Sequence, residues 1–181
     1  MIILIVGPSG VGKSTTLRQL EPMLPEIVFL DLDRITAEWA VETGIVETAS
    51  ISHLNRTIRD PEKFFSLGFQ ALKAHTNRNP GKHVIVDVGA GFQVAKSARR
   101  LHLQFKTISI IAAPDVAHAR IKDRENSRES RSLELYHQDE FNSQRKQVYD
   151  EAHAKVETDG QSPGETAISV ATILREWTQE N

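Results

Sequence analysis

The chain has 181 residues, with 22 Lys+Arg against 24 Asp+Glu, 39% apolar residues and no cysteine. That length suits one domain able to bury roughly 70% of its unfolded surface without covalent staples, and the missing thiols exclude disulfides, thiolate zinc sites, iron–sulfur clusters and cysteine nucleophiles. A formal net charge of −2 supplies no whole-molecule field toward nucleic acid or an acidic membrane.

The first element is the apolar run 2–6, which carries no basic flank and is stopped by Gly7-Pro8-Ser9-Gly10. It is far shorter than the roughly 20 apolar residues of a membrane span, and it is expected to be a buried strand in a cytoplasmic protein. A helix is predicted over 13–20, a β-branched strand over 27–30, and helices over 35–43 and 61–75. Asn79-Pro80-Gly81 turns the chain into a strand at 84–86, followed by a helix at 94–101 and a strand at 107–111. Helices at 116–125 and 133–154, a weaker strand at 155–158, a turn over 159–164 and a helix at 164–177 complete the chain. Strands that are apolar throughout and separated by helices imply a parallel sheet covered on both faces, so the fold class is α/β. Arg120, Lys122, Asp123, Arg124, Glu125, Arg128, Glu129 and Arg131 form a charged run that by itself reads as a solvated helix end.

Between the first strand and first helix, Gly7-Pro8-Ser9-Gly10-Val11-Gly12-Lys13-Ser14 fits G-x-x-x-x-G-K-[ST] in the context that motif requires. Glycines let backbone N–H groups turn inward on phosphates, Lys13 supplies a compact cation, and Ser14 a hydroxyl for Mg²⁺. The helix behind them adds its positive N-terminal end. Gly7, Ser9, Gly10, Val11, Gly12, Lys13, Ser14 and Thr15 are therefore the expected nucleotide contacts. Phosphoryl transfer also needs carboxylates. Asp31 and Asp33 follow the second strand, and Asp87 ends the third as a Walker B aspartate would, all at the carboxyl edge where such sheets bind ligands. Gly89-Ala90-Gly91, next in the chain, would let a substrate lie against the backbone. For each aspartate the competing role is a turn or helix cap.

Together these motifs resemble the shikimate kinase family of small P-loop kinases, in the nucleoside monophosphate kinase group, over nearly the whole length. The resemblance implies a three-layer P-loop NTPase sandwich with a five-stranded parallel sheet in the order 2-3-1-4-5. It further implies a single domain over 1–181, with an acceptor-binding region at about 34–77 and a short lid at about 124–134. In the family, the counterpart of Asp31 reaches Mg²⁺ through water, and that of Asp33 hydrogen-bonds and deprotonates the acceptor hydroxyl; Ser14 and Asp87 complete the metal set. Gly89-Ala90-Gly91 stands where the family has three glycines. Arg124 and Arg131 have the spacing of the family's adenine-stacking and lid arginines, although the lid Pro is lost at Ser132. Arg145, Tyr149, Val156 and Thr158 match a later Arg-x-x-x-Tyr stretch and final strand, which makes Arg145 the counterpart of an arginine on the acceptor's carboxylate. Ser66 falls where the family has a second carboxylate-gripping arginine, with Arg56 and Arg59 in the preceding stretch as substitutes.

The implied reaction moves the γ-phosphoryl group of ATP, with Mg²⁺, to a hydroxyl of a small anionic acceptor, with Lys13, Asp33 and Arg131 in the catalytic roles. Other readings are a kinase for a different sugar acid, cyclitol or nucleoside, and a non-catalytic nucleotide-binding regulatory module. The expected partners are ATP and the acceptor alone, without nucleic acid or membrane, in a monomer or weak dimer. The seven histidines show no ligand spacing, and no Asn-Lys-x-Asp guanine-reading sequence occurs. Trp39 and Trp177 are read as packing residues, with Trp39 near enough to Asp33 in sequence to border an acceptor pocket.

Overall fold

The computed structural model describes residues 1–125 and 131–179, and within these the side chains of Arg124 and Glu125 are outside the description. Five strands form one sheet in the order β2-β3-β1-β4-β5, every pair parallel, as expected from the sequence. They are β1 (Ile2–Val6), β2 (Val28–Asp31), β3 (Val84–Asp87), β4 (Lys106–Ile111) and β5 (Ala154–Glu157). Register follows the pleat. Ile5 pairs with Asp87 and Asp87 with Asp31, so two of the carboxylates noted in the sequence end neighbouring strands at one level.

Because successive side chains on a strand point to opposite faces, the apolar strands feed two cores. Leu4, Val6, Leu30, Val84 and Val86 pack with Ile35, Phe64, Leu67 and Phe92 on one face. Ile3, Ile5, Ile85, Ile108 and Ile110 pack with Leu17, Leu20, Val170 and Leu174 on the other. Full burial of one such side chain is worth about 1.5–3 kcal/mol, and Ile3, Leu4 and Ile5 are each 0% exposed. The central strand is thereby locked between both helical layers, and the loop after it inherits a fixed base.

The helices that carry these faces are α1 (Lys13–Leu20), α2 (Leu32–Glu42), α3 (Ile51–Thr57), α4 (Pro61–Asn77), α5 (Leu101–Gln104), α6 (Pro114–Glu125), α7 (Leu133–Glu140), α8 (Ser143–Asp150) and α9 (Pro163–Gln179). Several depart from the sequence expectation. Helix α2 begins at Leu32 rather than at 35, because the Asp31 side chain accepts from the Arg34 amide and caps it. Helix α3 was not expected; Ser50 caps it, and only Leu54 of its seven residues is buried. The expected helix at 94–101 is instead two 3₁₀ segments, Phe92–Val94 and Lys96–Arg100, leading into α5. The single helix expected at 133–154 breaks at Phe141–Asn142, where the Asn142 side chain accepts from the Gln144 and Arg145 amides and starts α8. Among the described residues no helix is long and apolar enough to cross a membrane.

Candidate active site

The loop from Gly7 to Gly12 joins β1 to α1 at the carboxyl edge of the sheet. Gly10 has φ +82°, and a β-carbon there would meet the Ala117 carbonyl oxygen at 2.3 Å, so α6 backs directly onto the loop. The buried Lys13 ammonium donates to the carbonyls of Gly7 at 2.8 Å and Pro8 at 2.9 Å. Burial pulls its pKa down, against the pull of Asp87, Glu140 and Asp33 in the other direction. Gln93, fully buried, donates from Nε2 to Val88 O at 2.8 Å and Gly7 O at 3.4 Å, tying the segment after β3 to the loop.

A cavity of about 740 Å³ opens over this loop, within the size range of small-molecule sites. Its walls carry Ser9 to Thr16 and Arg18, then Asp31, Asp33, Asp87, Gly89 and Ala90, and at the other end Arg120, Ile121, Thr158, Gln161, Pro163 and Thr166. Asp33 stands in the first turn of α2. Burial first, then the charges of Asp31 and Asp87, push its carboxyl up to about 6, with Lys13 opposing. Asp87 is 6% exposed and its pKa is also raised, by burial, against Lys13 and a hydrogen bond from Ser14.

That bond runs from Ser14 Oγ to Asp87 Oδ2 at 2.7 Å, while Asp87 Oδ1 is buried without a hydrogen-bond partner. A hydroxyl and an under-satisfied carboxylate, with Asp31 on the same wall, fit a hard cation shared with phosphates. Among the described residues no three His, Asp or Glu side chains form a self-sufficient metal site. Mg²⁺ takes one or two protein oxygens and keeps its other positions for phosphate and water.

The structure brings Lys13, Ser14, Asp31, Asp33, Asp87, Gly89 and Ala90 to one cavity, and among the described residues Arg56, Arg59, Arg131 and Arg145 are not on its wall, although Arg145 is near enough to Lys13 for its charge to help lower the lysine's pKa. Gly91 is the residue before the 3₁₀ segment Phe92–Val94 and is off the wall. Arg56 and Arg59 are exposed, and Arg124 has its side chain outside the described residues. Arg131 pairs with Asp139 at 2.9 Å and approaches Glu140 at 3.6 Å, over the Tyr136 ring. Arg145 is 9% exposed and lies 2.9 Å from Glu140. Ser66 is exposed on α4, where it accepts from Gln70, so it does not occupy an acceptor wall. Trp39 packs against the core instead of lining the cavity.

Four residues whose hydrogen bonds brace the phosphate loop and its surroundings, besides further cavity-wall residues such as Arg18 and Gln161, escaped the sequence reading. Tyr136 donates to the Ser9 carbonyl at 2.6 Å, and Glu140 accepts from the Ser9 amide and hydroxyl, both at 3.1 Å, so α7 grips both ends of one loop residue. Gln93 bridges the loop to β3 as described. Arg120 donates to Thr158 Oγ1 at 2.8 Å and Thr158 O at 3.0 Å, and Thr158 in turn donates to Val11 O at 3.2 Å. Arg120 had a faint signal, being an arginine one helical turn before Arg124. The other three had none, since their partners are far away in sequence.

Several solved structures share this fold. Shikimate kinase from Aquifex aeolicus superposes with a TM-score of 0.67 at 22% identity, over 97% of this chain and 96% of that one. Shikimate kinase from Acinetobacter baumannii in complex with shikimate gives 0.67 at 21%, over 97% and 93%. The Deinococcus radiodurans tunicamycin resistance protein gives 0.60 at 18%, over 96% and 94%. No curated protein matches the chain in sequence. Residues 3–149 match the AAA_18 family, described as an AAA domain. With the phosphate loop, the parallel sheet order and that match in agreement, the chain belongs to the AAA_18 family and has the fold of the small P-loop kinases.

Proposed function

We propose that the protein is a small-molecule kinase that transfers the γ-phosphoryl group of ATP to a hydroxyl held beside Asp33. The observation that carries this reading is the shared cavity, in which a carboxylate held up to about 6 faces a phosphate loop and its lysine. The acceptor oxygen forms a bond to the γ-phosphorus while the bond from phosphorus to the bridging oxygen breaks, and that electron pair leaves on ADP. The hydroxyl proton passes to Asp33, whose raised pKa suits it to accept one near neutral pH.

Most of the catalysis is positioning and charge neutralisation. The loop amides and Lys13 hold the β- and γ-phosphates, and the Gly89 and Ala90 backbone forms the floor under the acceptor. Ser14, Asp87 and Asp31 would hold Mg²⁺, which when bound supplies neutralisation of the phosphate charge. Arg120 and Thr158 border the end of the cavity left for the base. We place the unit at 1–181, with the acceptor region at about 34–77; of the lid expected at about 124–134, residues 126–130 lie outside the described residues.

The test is a coupled assay of ADP release with a panel of hydroxyl compounds, beside calorimetric titration with MgATP. Binding of MgATP together with acceptor-stimulated ADP release is expected. Release that ignores every acceptor would instead favour a nucleotide-binding module without transfer.

A further inference from the structure

Glu140 is the last residue of α7, and it is only 2% exposed. Its Oε2 accepts from the Ser9 amide and its Oε1 from the Ser9 hydroxyl, both at 3.1 Å. Nη1 of Arg145 lies 2.9 Å from the same Oε2. Nη2 of Arg131 stands 3.6 Å from Oε1, but that side chain is 44% exposed and is paired with Asp139. Arg145 is 9% exposed, and its Nε and Nη1 have no aligned hydrogen-bond acceptor among the described residues. What joins Arg145 to Glu140 is therefore charge more than hydrogen-bond geometry, in surroundings that screen little.

Ser9 belongs to the phosphate loop and to the cavity wall, whereas Arg145 is off that wall. Both charges of the pair nevertheless reach the lysine of the loop: Glu140 helps to hold the Lys13 pKa up and Arg145 helps to pull it down. A carboxylate bonded to the loop repels any triphosphate that the loop cradles. The Arg145 guanidinium cancels that repulsion. Removing one member of a buried pair strands the other, while removing both can be nearly neutral.

We infer that Arg145 serves the nucleotide side of the cavity as a positioning residue: acting through Glu140 and Ser9, it neutralises a carboxylate built into the cradle and so sets the affinity of the phosphate loop for a nucleoside triphosphate. The inference rests on the loop holding MgATP, as proposed above, and not on the transfer step. It is separate from the contact with an acceptor's carboxylate that the family resemblance implies for Arg145, and it holds with or without that contact.

The experiment is calorimetric titration of MgATP into the wild-type protein, Arg145→Met, Glu140→Gln and the double variant, each checked for folding by circular dichroism. Arg145→Met leaves Glu140 uncompensated beside the loop, and MgATP affinity is expected to fall by about 10-fold or more. Glu140→Gln removes the opposing charge, and its amide keeps both contacts with Ser9, accepting from the backbone with Oε1 and donating to Oγ with Nε2. Affinity is expected to rise by about 3-fold or more. The double variant carries neither charge and should return to within about 3-fold of wild type. A merely structural brace gives the opposite pattern, in which Glu140→Gln weakens binding and the second substitution restores nothing. Unchanged affinity in Arg145→Met, a Glu140→Gln protein that binds MgATP no tighter than wild type, or a double variant as weak as Arg145→Met each overturns the inference. If Arg145→Met does not fold, Glu140→Gln and the double variant decide between the two patterns. A wild-type protein that binds no MgATP overturns the phosphate-site reading and this inference with it. MgATP binding without acceptor-stimulated ADP release overturns the kinase reading alone and leaves the inference standing.

Discussion

A β-carbon placed on Gly89 would lie 2.4 Å from Oδ2 of Asp33, so the carboxylate rests directly on the backbone that follows β3. Gly89→Ala forces Asp33 out of position while leaving the phosphate loop untouched. A displacement of about 1 Å at a reacting group costs on the order of 10²-fold in rate. Acceptor-stimulated turnover is expected to fall by that factor, with MgATP affinity by calorimetry within about twofold of wild type.

Lys13 and Asp33 share a cavity but serve different substrates. Lys13→Ala is expected to weaken MgATP binding and turnover together, because the same ammonium meets the nucleotide in the ground state and during transfer. Asp33→Asn should keep nucleotide affinity and lose about 10²–10⁴-fold in transfer, the usual worth of a positioned base. Titration calorimetry paired with steady-state rates separates the two patterns, and an Asp33→Asn protein with most of its turnover would remove Asp33 from its proposed role.

The raised pKa of Asp33 also makes a stability prediction. Its carboxyl is held at about 6 in the fold against 3.8 for an ordinary aspartate, so the folded protein binds this proton more tightly than the unfolded chain does. Stability from this group is full below about pH 4 and is lost as pH rises through about 6. Asp33→Asn abolishes that loss. Thermal melts without nucleotide should find the variant more stable than wild type at pH 7, by about 3 kcal/mol, with the gap closing at pH 4. A variant no more stable than wild type at neutral pH would contradict the electrostatic description of the site.

Tyr136→Phe removes the hydroxyl that donates to the Ser9 carbonyl. The abandoned acceptor should cost about 1–2 kcal/mol of stability in chemical denaturation. MgATP affinity should fall as well, because the loop loses one of its two ties to α7. An affinity equal to wild type would mean that this grip does not shape the loop.

The phosphate loop and the sheet were legible in the sequence because both are local patterns. Eight consecutive residues specify the loop, and runs such as Ile2–Val6 and Val84–Asp87 are apolar on both faces, as only an interior parallel strand requires. Asp31, Asp33 and Asp87 were legible by their place at strand ends, though Asp31 combines its position on the cavity wall with the helix-cap role weighed against it. What escaped depends on distant partners or on competition between side chain and backbone. Helix α3 presents a single buried residue and therefore no periodic stripe. The break before α8 comes from one asparagine that bonds two amides ahead of it. Glu140 looks like an ordinary polar residue within the helix expected at 133–154 until folding sets it against Ser9, 131 positions away. Arg145 was found by its spacing to Tyr149, but spacing could not show that a carboxylate would already be waiting for it.

The double hold of α7 on Ser9 has a consequence for solvent exchange. The Ser9 amide proton is directed at the Glu140 carboxylate, so its replacement by deuterium requires that α7 lift from the loop. One backbone site next to Gly10 thus reports, in an otherwise unlabelled protein, how often the helix that follows residues 126–130 lets go of the nucleotide cradle.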